Sequence, residues 1–136
     1  MSGAPDLGAL VASMPHAQAL GITLESATPD EVVGGFDWAA ERCTAGGVIH
    51  GGVLMALADS VGAVCAFLGL PPGATTATTS STTHFLRAVR EGRVTATARP
   101  LHRGRSQVVV KTDLVDGEGR LVATVTQSQA VLSPPG

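Results

Sequence analysis

Apolar and polar positions along the chain follow two periods, and the change between them falls near residue 71. Residues 51–70 (GGVLMALADSVGAVCAFLGL) form a nearly unbroken apolar run of helical length, and Pro71-Pro72-Gly73 ends it. Before it, residues 5–14 suggest a short leading helix with Pro5 at its start. Residues 20–26 and 31–38 read as strands on either side of the turn residues Thr28, Pro29 and Asp30. Residues 39–49 read as loop. After the prolines the period becomes two. Residues 75–86 are a Thr/Ser-rich strand, and residues 93–101 alternate Val94, Ala96 and Ala98 with Arg93, Thr95, Thr97 and Arg99. A β-branched run at 106–115, a turn at Asp116-Gly117-Glu118-Gly119 and a last strand at 121–132 complete the chain. The order predicts one α+β domain over residues 1–136, in which a long central helix packs against a curved antiparallel sheet.

The 20-residue apolar run has the length of a membrane span, but Asp59 sits near its centre and no Lys or Arg flanks it closely. It is therefore expected to be the core helix of a soluble domain, with no membrane partner. Of 136 residues 44% are hydrophobic and only 15% charged, which excludes disorder and leaves little charge to cover a lone subunit. A formal charge of -2, with three Phe, one Trp and no Tyr, argues against a nucleic-acid partner. Cys43 and Cys65 are too few for a disulfide scaffold, and His16, His50, His84 and His102 show no metal-ligand spacing. The first ten residues lack a signal peptide's basic and apolar regions, so a cytoplasmic protein is expected.

On a helical projection Leu54, Leu57, Val61, Val64, Cys65 and Leu68 lie opposite Asp59 and should face the sheet. Around Asp59 lie Gly52, Met55, Ala56, Gly62, Ala63 and Ala66, a face small enough for a ligand or backbone to approach closely. A partly desolvated carboxylate there suits a general base or nucleophile, whereas the bland alternative is a solvated face residue. At the helix start, His50-Gly51-Gly52 offers unpaired N–H groups at a positive dipole end and no side chain to block an incoming oxygen. That suits an oxyanion hole, although the glycines could simply turn a loop into a helix. Gly51 and Asp59 are eight residues apart, roughly 12 Å along a helix, so a single carbonyl cannot meet both groups of one chain. Chemistry using both implies a site shared between subunits, hence at least a dimer.

His50-Gly51-Gly52, six residues and then Asp59 on a long helix resembles the hotdog-fold acyl-CoA thioesterases of the 4-hydroxybenzoyl-CoA and phenylacetate-degradation type. Arg90-Glu91-Gly92-Arg93-Val94 and Arg99-Pro100-Leu101-His102-Arg103-Gly104 look closest to the branch that cleaves 1,4-dihydroxy-2-naphthoyl-CoA. The likeness covers about residues 18–132. It implies that Asp59 acts as nucleophile or as general base for water, and that the Gly51 N–H of a partner subunit polarises the thioester carbonyl. It further implies that His50 lines the thioester and that Thr78 helps to place water. Thr44 stands where relatives carry Asn or Gln, and Asp59 where many carry Glu. Tetramers built as dimers of dimers are implied, and neither a metal nor another cofactor is needed.

Coenzyme A carries phosphates, for which Arg87, Arg90, Arg103 and Arg105 are the candidates. Gly52, Met55 and Ala63 are candidates for lining the substrate. The hydroxyls of residues 75–83 could line the acyl cleft or cross the dimer seam. His84 and His102 read as surface or interface residues, and Cys65 as core. The expected function is hydrolysis of an aroyl- or acyl-CoA thioester to the acid and CoA, with an acyl carrier protein thioester as another possible substrate. The alternative is a non-catalytic acyl-CoA sensor on the same fold, which would gain nothing from a buried Asp59. A hotdog dehydratase would need a different motif around its histidine.

Overall fold

The structure is a computed structural model describing residues 4–134. The leading helix is two short ones, α1 (Leu7–Ala12) and α2 (Pro15–Ala19). Asp6, not Pro5, caps α1 by accepting from Ala9 N. Pro15 breaks the run because the residue before a proline is pushed out of the helical region, and Met14 has φ -117° and ψ 86°.

Strands β1 (Thr23–Ala27) and β2 (Val32–Asp37) follow, the first starting later than the apolar pattern suggested. The stretch read as loop contains two single 3₁₀ turns, Ala40–Arg42 and Ala45–Gly47. Gly46 and Gly47 both take positive φ, at 83° and 74°, so glycine is required at each. Helix α3 runs from Gly51 to Leu68, and β3 (Thr75–Phe85), β4 (Arg93–Arg103), β5 (Gln107–Val115) and β6 (Leu121–Leu132) complete the chain. The six strands form one antiparallel sheet in the order β1-β2-β4-β5-β6-β3. Pro100 lies within β4 but beyond the end of its β2 pairing, beside a register shift, where a missing N–H is tolerated.

Helix α3 lies on the sheet. Leu54, Leu57, Val61, Val64 and Cys65 are buried as the projection required, against Val32, Phe36, Val94, Val110, Leu114 and Val125. Leu68 is only half-buried. Gly62 and Ala66, expected on the open face around Asp59, are buried too. The sheet therefore covers more of the helix than a single apolar stripe, and Asp59 sits at the border of the covered region. The helix long and apolar enough to cross a bilayer is the core helix of this domain.

The two sheet edges differ. β1 is short and irregular, whereas β3 is 11 residues long, mostly exposed and, among the described residues, paired as a strand with β6 alone. A long free edge is a template for another strand.

Candidate active site

Residues 39–50 deliver the start of α3. Arg42 anchors this segment: its Nε donates to Leu20 O at 2.6 Å and its Nη1 to Asp37 O at 3.1 Å. Its own carbonyl accepts from His50 N at 2.9 Å, which fixes the residue before the helix. Four N–H groups open an α-helix without intrahelical partners, and here they can be followed one by one. That of His50 donates to Arg42 O, that of Val53 donates to His50 O in a 3₁₀-type bond, and that of Gly52 donates to His50 Nδ1 at 2.8 Å. The Gly51 N–H has no acceptor among the described residues.

His50 is thus the N-cap of α3. Because Nδ1 accepts, the neutral ring carries its proton on Nε2. A Cβ at position 52 would stand 2.9 Å from the ring, so the ring can fold back only over glycine. The expectation of freely available N–H groups at Gly51 and Gly52 thus narrows to Gly51 alone.

A cleft of about 380 Å³ opens at this helix end, lined by Thr44, Gly51, Leu54, Phe85 and Arg87 among others. Through Arg87, Ala88 and Val89 it adjoins a larger groove of about 810 Å³ that also includes Arg90, Glu91, Asp116 and Arg120. Arg120 is paired with Asp116 and Glu118, whereas Arg87 and Arg90 have no side-chain partner among the described residues. Arg103 is committed elsewhere. It donates to Ala66 O at 3.2 Å, Cys65 O at 2.8 Å and Pro29 O at 2.6 Å, so it caps the far end of α3 rather than facing the clefts. Arg105 is exposed beside the β4–β5 turn and lines neither cleft.

Asp59 lies on the middle of α3, and its surroundings come from two strands. Thr78 Oγ1 donates to Asp59 Oδ1 at 2.7 Å, and Gln127 Nε2 donates to the same oxygen at 2.9 Å. Gln129 Nε2 in turn donates to Thr78 Oγ1 at 2.7 Å. Asp59 and Thr78 are exposed in the single chain, so the expected desolvation is not supplied by the protomer itself. The Thr78 proton is spent on Asp59, which leaves that hydroxyl no proton to give a water. Met55 is exposed and Ala63 half-buried on the same side of the helix.

The fold therefore groups Thr44, Gly51 and Arg87 at the helix start and Asp59 with Thr78 at its middle, and Asp59 does not line the Gly51 cleft. Gln127 and Gln129 had no signal in the sequence beyond being polar on the inward positions of an apolar strand. Phe85, whose ring would lie 3.2 Å from a Cβ at Gly51, stood out even less. Among the described residues no three His, Cys, Asp or Glu side chains gather as metal ligands would.

The family model described as "Thioesterase superfamily" matches residues 46–123, the stretch from the second 3₁₀ turn through α3 into β6. The chain belongs to the thioesterase superfamily. A Mycobacterium tuberculosis protein named as an esterase is 32% identical over 127 residues, covering 90% of this chain and 91% of that one. The 1,4-dihydroxy-2-naphthoyl-CoA hydrolase of Escherichia coli is 31% identical over 86 residues, 63% of each chain. A thioesterase structure from Haemophilus influenzae superposes with a TM-score of 0.90 at 28% identity, over 96% of this chain and 93% of that one. The resemblance to this branch and the hotdog architecture are thereby borne out, and the protein is a thioester hydrolase.

Proposed function

We propose that the protein hydrolyses an acyl- or aroyl-CoA thioester in a site built by two subunits, with Asp59 as general base and the partner's Gly51 N–H as oxyanion donor. The observation that carries this reading is the division of the site. The Gly51 N–H, without an acceptor among the described residues, and the anchored carboxylate at the middle of α3 stand on the same helix, roughly 12 Å apart by rise. Two copies remove the conflict. Asp59 is joined through Thr78 to β3, the strand with the free edge, so a second copy pairing along that edge would approach Asp59. Pairing there would also cover the exposed Thr/Ser face and withdraw the carboxylate from water.

In the reaction, Asp59 takes a proton from water, whose oxygen attacks the thioester carbonyl carbon. The Gly51 N–H stabilises the resulting oxyanion. The C–S bond then breaks, the sulfur leaves as the thiol of CoA after regaining a proton, and the acid remains. Both donors to Asp59 are held by the protein, which favours a carboxylate fixed as a base over one that swings in to attack. Arg87 and Arg90, the free cations of the adjoining grooves, would meet the phosphates of CoA. Thr44 borders the Gly51 cleft, where its hydroxyl can bind the attacking water or the carbonyl. The 1,4-dihydroxy-2-naphthoyl-CoA hydrolase likeness makes an aroyl group the first acyl class to try, and a cytoplasmic tetramer is the expected working form.

The test is release of CoA thiol from a panel of aroyl- and alkyl-CoAs by wild type and Asp59→Asn. Turnover of some member, with a kcat loss of about 100-fold or more in the variant and little change in KM, is expected. Binding of acyl-CoA without turnover by either protein would replace hydrolysis with the sensor reading.

A further inference from the structure

The inward row of β6 reads Ala123, Val125, Gln127, Gln129, so two amides stand where the strand pattern calls for apolar side chains. Both are out of water, at 1% and 0% exposure. Gln129 is satisfied: its Nε2 donates to Thr78 Oγ1, and its Oε1 accepts from Thr76 Oγ1 at 3.0 Å. Gln127 is not. Its Nε2 donates to Asp59 Oδ1, but its Oε1 is buried with no donor among the described residues, and the nearby Thr112 Oγ1 is buried with no partner among them either.

A buried carbonyl left without a donor costs about 1–3 kcal/mol, and a methionine of similar length would avoid that cost. Turning the amide over is no remedy, because it would press a carbonyl oxygen against the carboxylate. The orientation is therefore fixed by Asp59. The helix makes room for it. Gly62 packs against Gln127 Oε1, and a Cβ at that position would fall inside the oxygen's van der Waals envelope. On the other side, Gln129 donates to Thr78, so the Thr78 proton must point away from Gln129 and toward Asp59.

The two donors converge on Oδ1 of Asp59, and Oδ2 has no partner among the described residues. We infer that Gln127 is a positioning residue, with Gln129 acting behind Thr78. Together they hold Asp59 by Oδ1 and present Oδ2 as the atom that takes the proton from water. This rests on the general-base reading above. It adds that the reacting oxygen is selected by β6, and that the fold accepts an unsatisfied buried oxygen to do so.

The experiment compares wild type, Asp59→Asn, Gln127→Met and Gly62→Ala on the best thioester of the panel, recording kcat, KM and Tm for each. Gln127→Met should lower kcat on the order of 10- to 100-fold with KM nearly unchanged. Its Tm should stay level or rise, because the orphaned oxygen is gone; a purely structural glutamine would show a falling Tm instead. In an Asp59→Asn background the same substitution should leave the residual rate unaltered. Gly62→Ala reaches the amide from the helix side, displaces it and should reproduce the kcat loss, so a poorly folding Gln127→Met does not end the test. The inference is overturned if wild type turns over and Asp59→Asn fails while Gln127→Met or Gly62→Ala keeps its kcat. If wild type cleaves no thioester, the general-base reading falls and the inference falls with it.

Discussion

Replacing Gly51 by proline separates the amide hydrogen from the space around it. Gly51 is the first residue of α3, where the fixed φ of proline suits the helix and the N–H has no intrahelical partner to lose. The residue before a proline must be extended, and His50 already is, at φ -61° and ψ 134°. No hydrogen bond is broken, since the Gly51 N–H has no acceptor among the described residues. The less flexible unfolded chain favours the variant by about 0.4–1 kcal/mol. Against this stands the Phe85 ring, whose Cζ would lie 3.2 Å from the new Cβ. That ring is more than half exposed and can give by a few tenths of an ångström. The stability should therefore change by no more than about 1 kcal/mol, or roughly 3–4 °C in Tm for a domain of this size.

Catalysis should respond quite differently. One oxyanion donor is worth about 2.7–4 kcal/mol of transition-state stabilisation, on the order of 10²- to 10³-fold in kcat. Gly51→Ala keeps the N–H while adding the same Cβ, and so measures the steric share alone. Thiol release and thermal melting at one protein concentration, on wild type and both variants, decide the matter. Two results would refute the reasoning: a proline variant within about fivefold of wild type in kcat, or an alanine variant as slow as the proline one. The pair also tests the shared site. If each site takes Gly51 from one subunit and Asp59 from the other, subunits of Gly51→Pro and Asp59→Asn, dissociated and reassociated together, should regain up to about a quarter of wild-type activity. A site within one chain would regain none.

Arg103→Ala should lower stability by about 2–4 kcal/mol in urea titration, since two carbonyl contacts at the end of α3 and one to the β1–β2 turn are lost, with KM for the CoA thioester unaltered. A raised KM with unchanged stability would instead make Arg103 a substrate cation. Arg87→Ala should raise KM about 5- to 20-fold at low salt with kcat kept, and the effect should vanish for a pantetheine thioester that lacks the nucleotide phosphates. In the β5–β6 turn the Arg120 N–H foremost, then the Glu118 N–H and the Arg120 guanidinium, outweigh burial and hold the Asp116 carboxyl below its usual range. The stability this gives is fully present above the ordinary Asp value, about 3.9, and is lost as pH falls through the lower folded value. Asp116→Asn should therefore reduce stability at neutral pH and flatten its acid decline, as read from urea midpoints at descending pH.

The fold was legible wherever one face of an element is apolar and the other is not. The alternation of Val94, Ala96 and Ala98, and the stripe Leu54, Leu57, Val61, Val64, each matched the face that is buried. The strand order was not legible, because pairing β3 to β6 depends on the long return past β4 and β5, and no periodicity records it. Nor was the width of the covered helix face. Gly62 and Ala66 read as surface small residues, but both are buried, and the absence of a side chain at Gly62 is what lets Gln127 of the sheet come close. In the site, the residues at the start and middle of α3 were visible as a spacing along one helix. Arg103 looked like a phosphate ligand because sequence does not say that β4, past its irregularity at Pro100, delivers it to the last turn of α3. Gln127 was invisible for a related reason. A polar residue at an inward strand position carries meaning only once the group opposite it is known.

That group is Asp59, and its place on α3 ties the fold to the chemistry. The helix start offers an N–H that the fold leaves unpaired, which suits a developing negative charge. The helix end is closed by a guanidinium on its carbonyls, which offsets the opposite dipole end. Between them stands one carboxylate at the border of the buried face, held from the sheet by a hydroxyl and an amide that meet at one oxygen. A base confined to the surface would keep both oxygens hydrated and equivalent, and one in the core would have no route to water. The border position, next to an unpaired strand edge, makes the two oxygens different: one is held by the fold, and the other has no partner among the described residues.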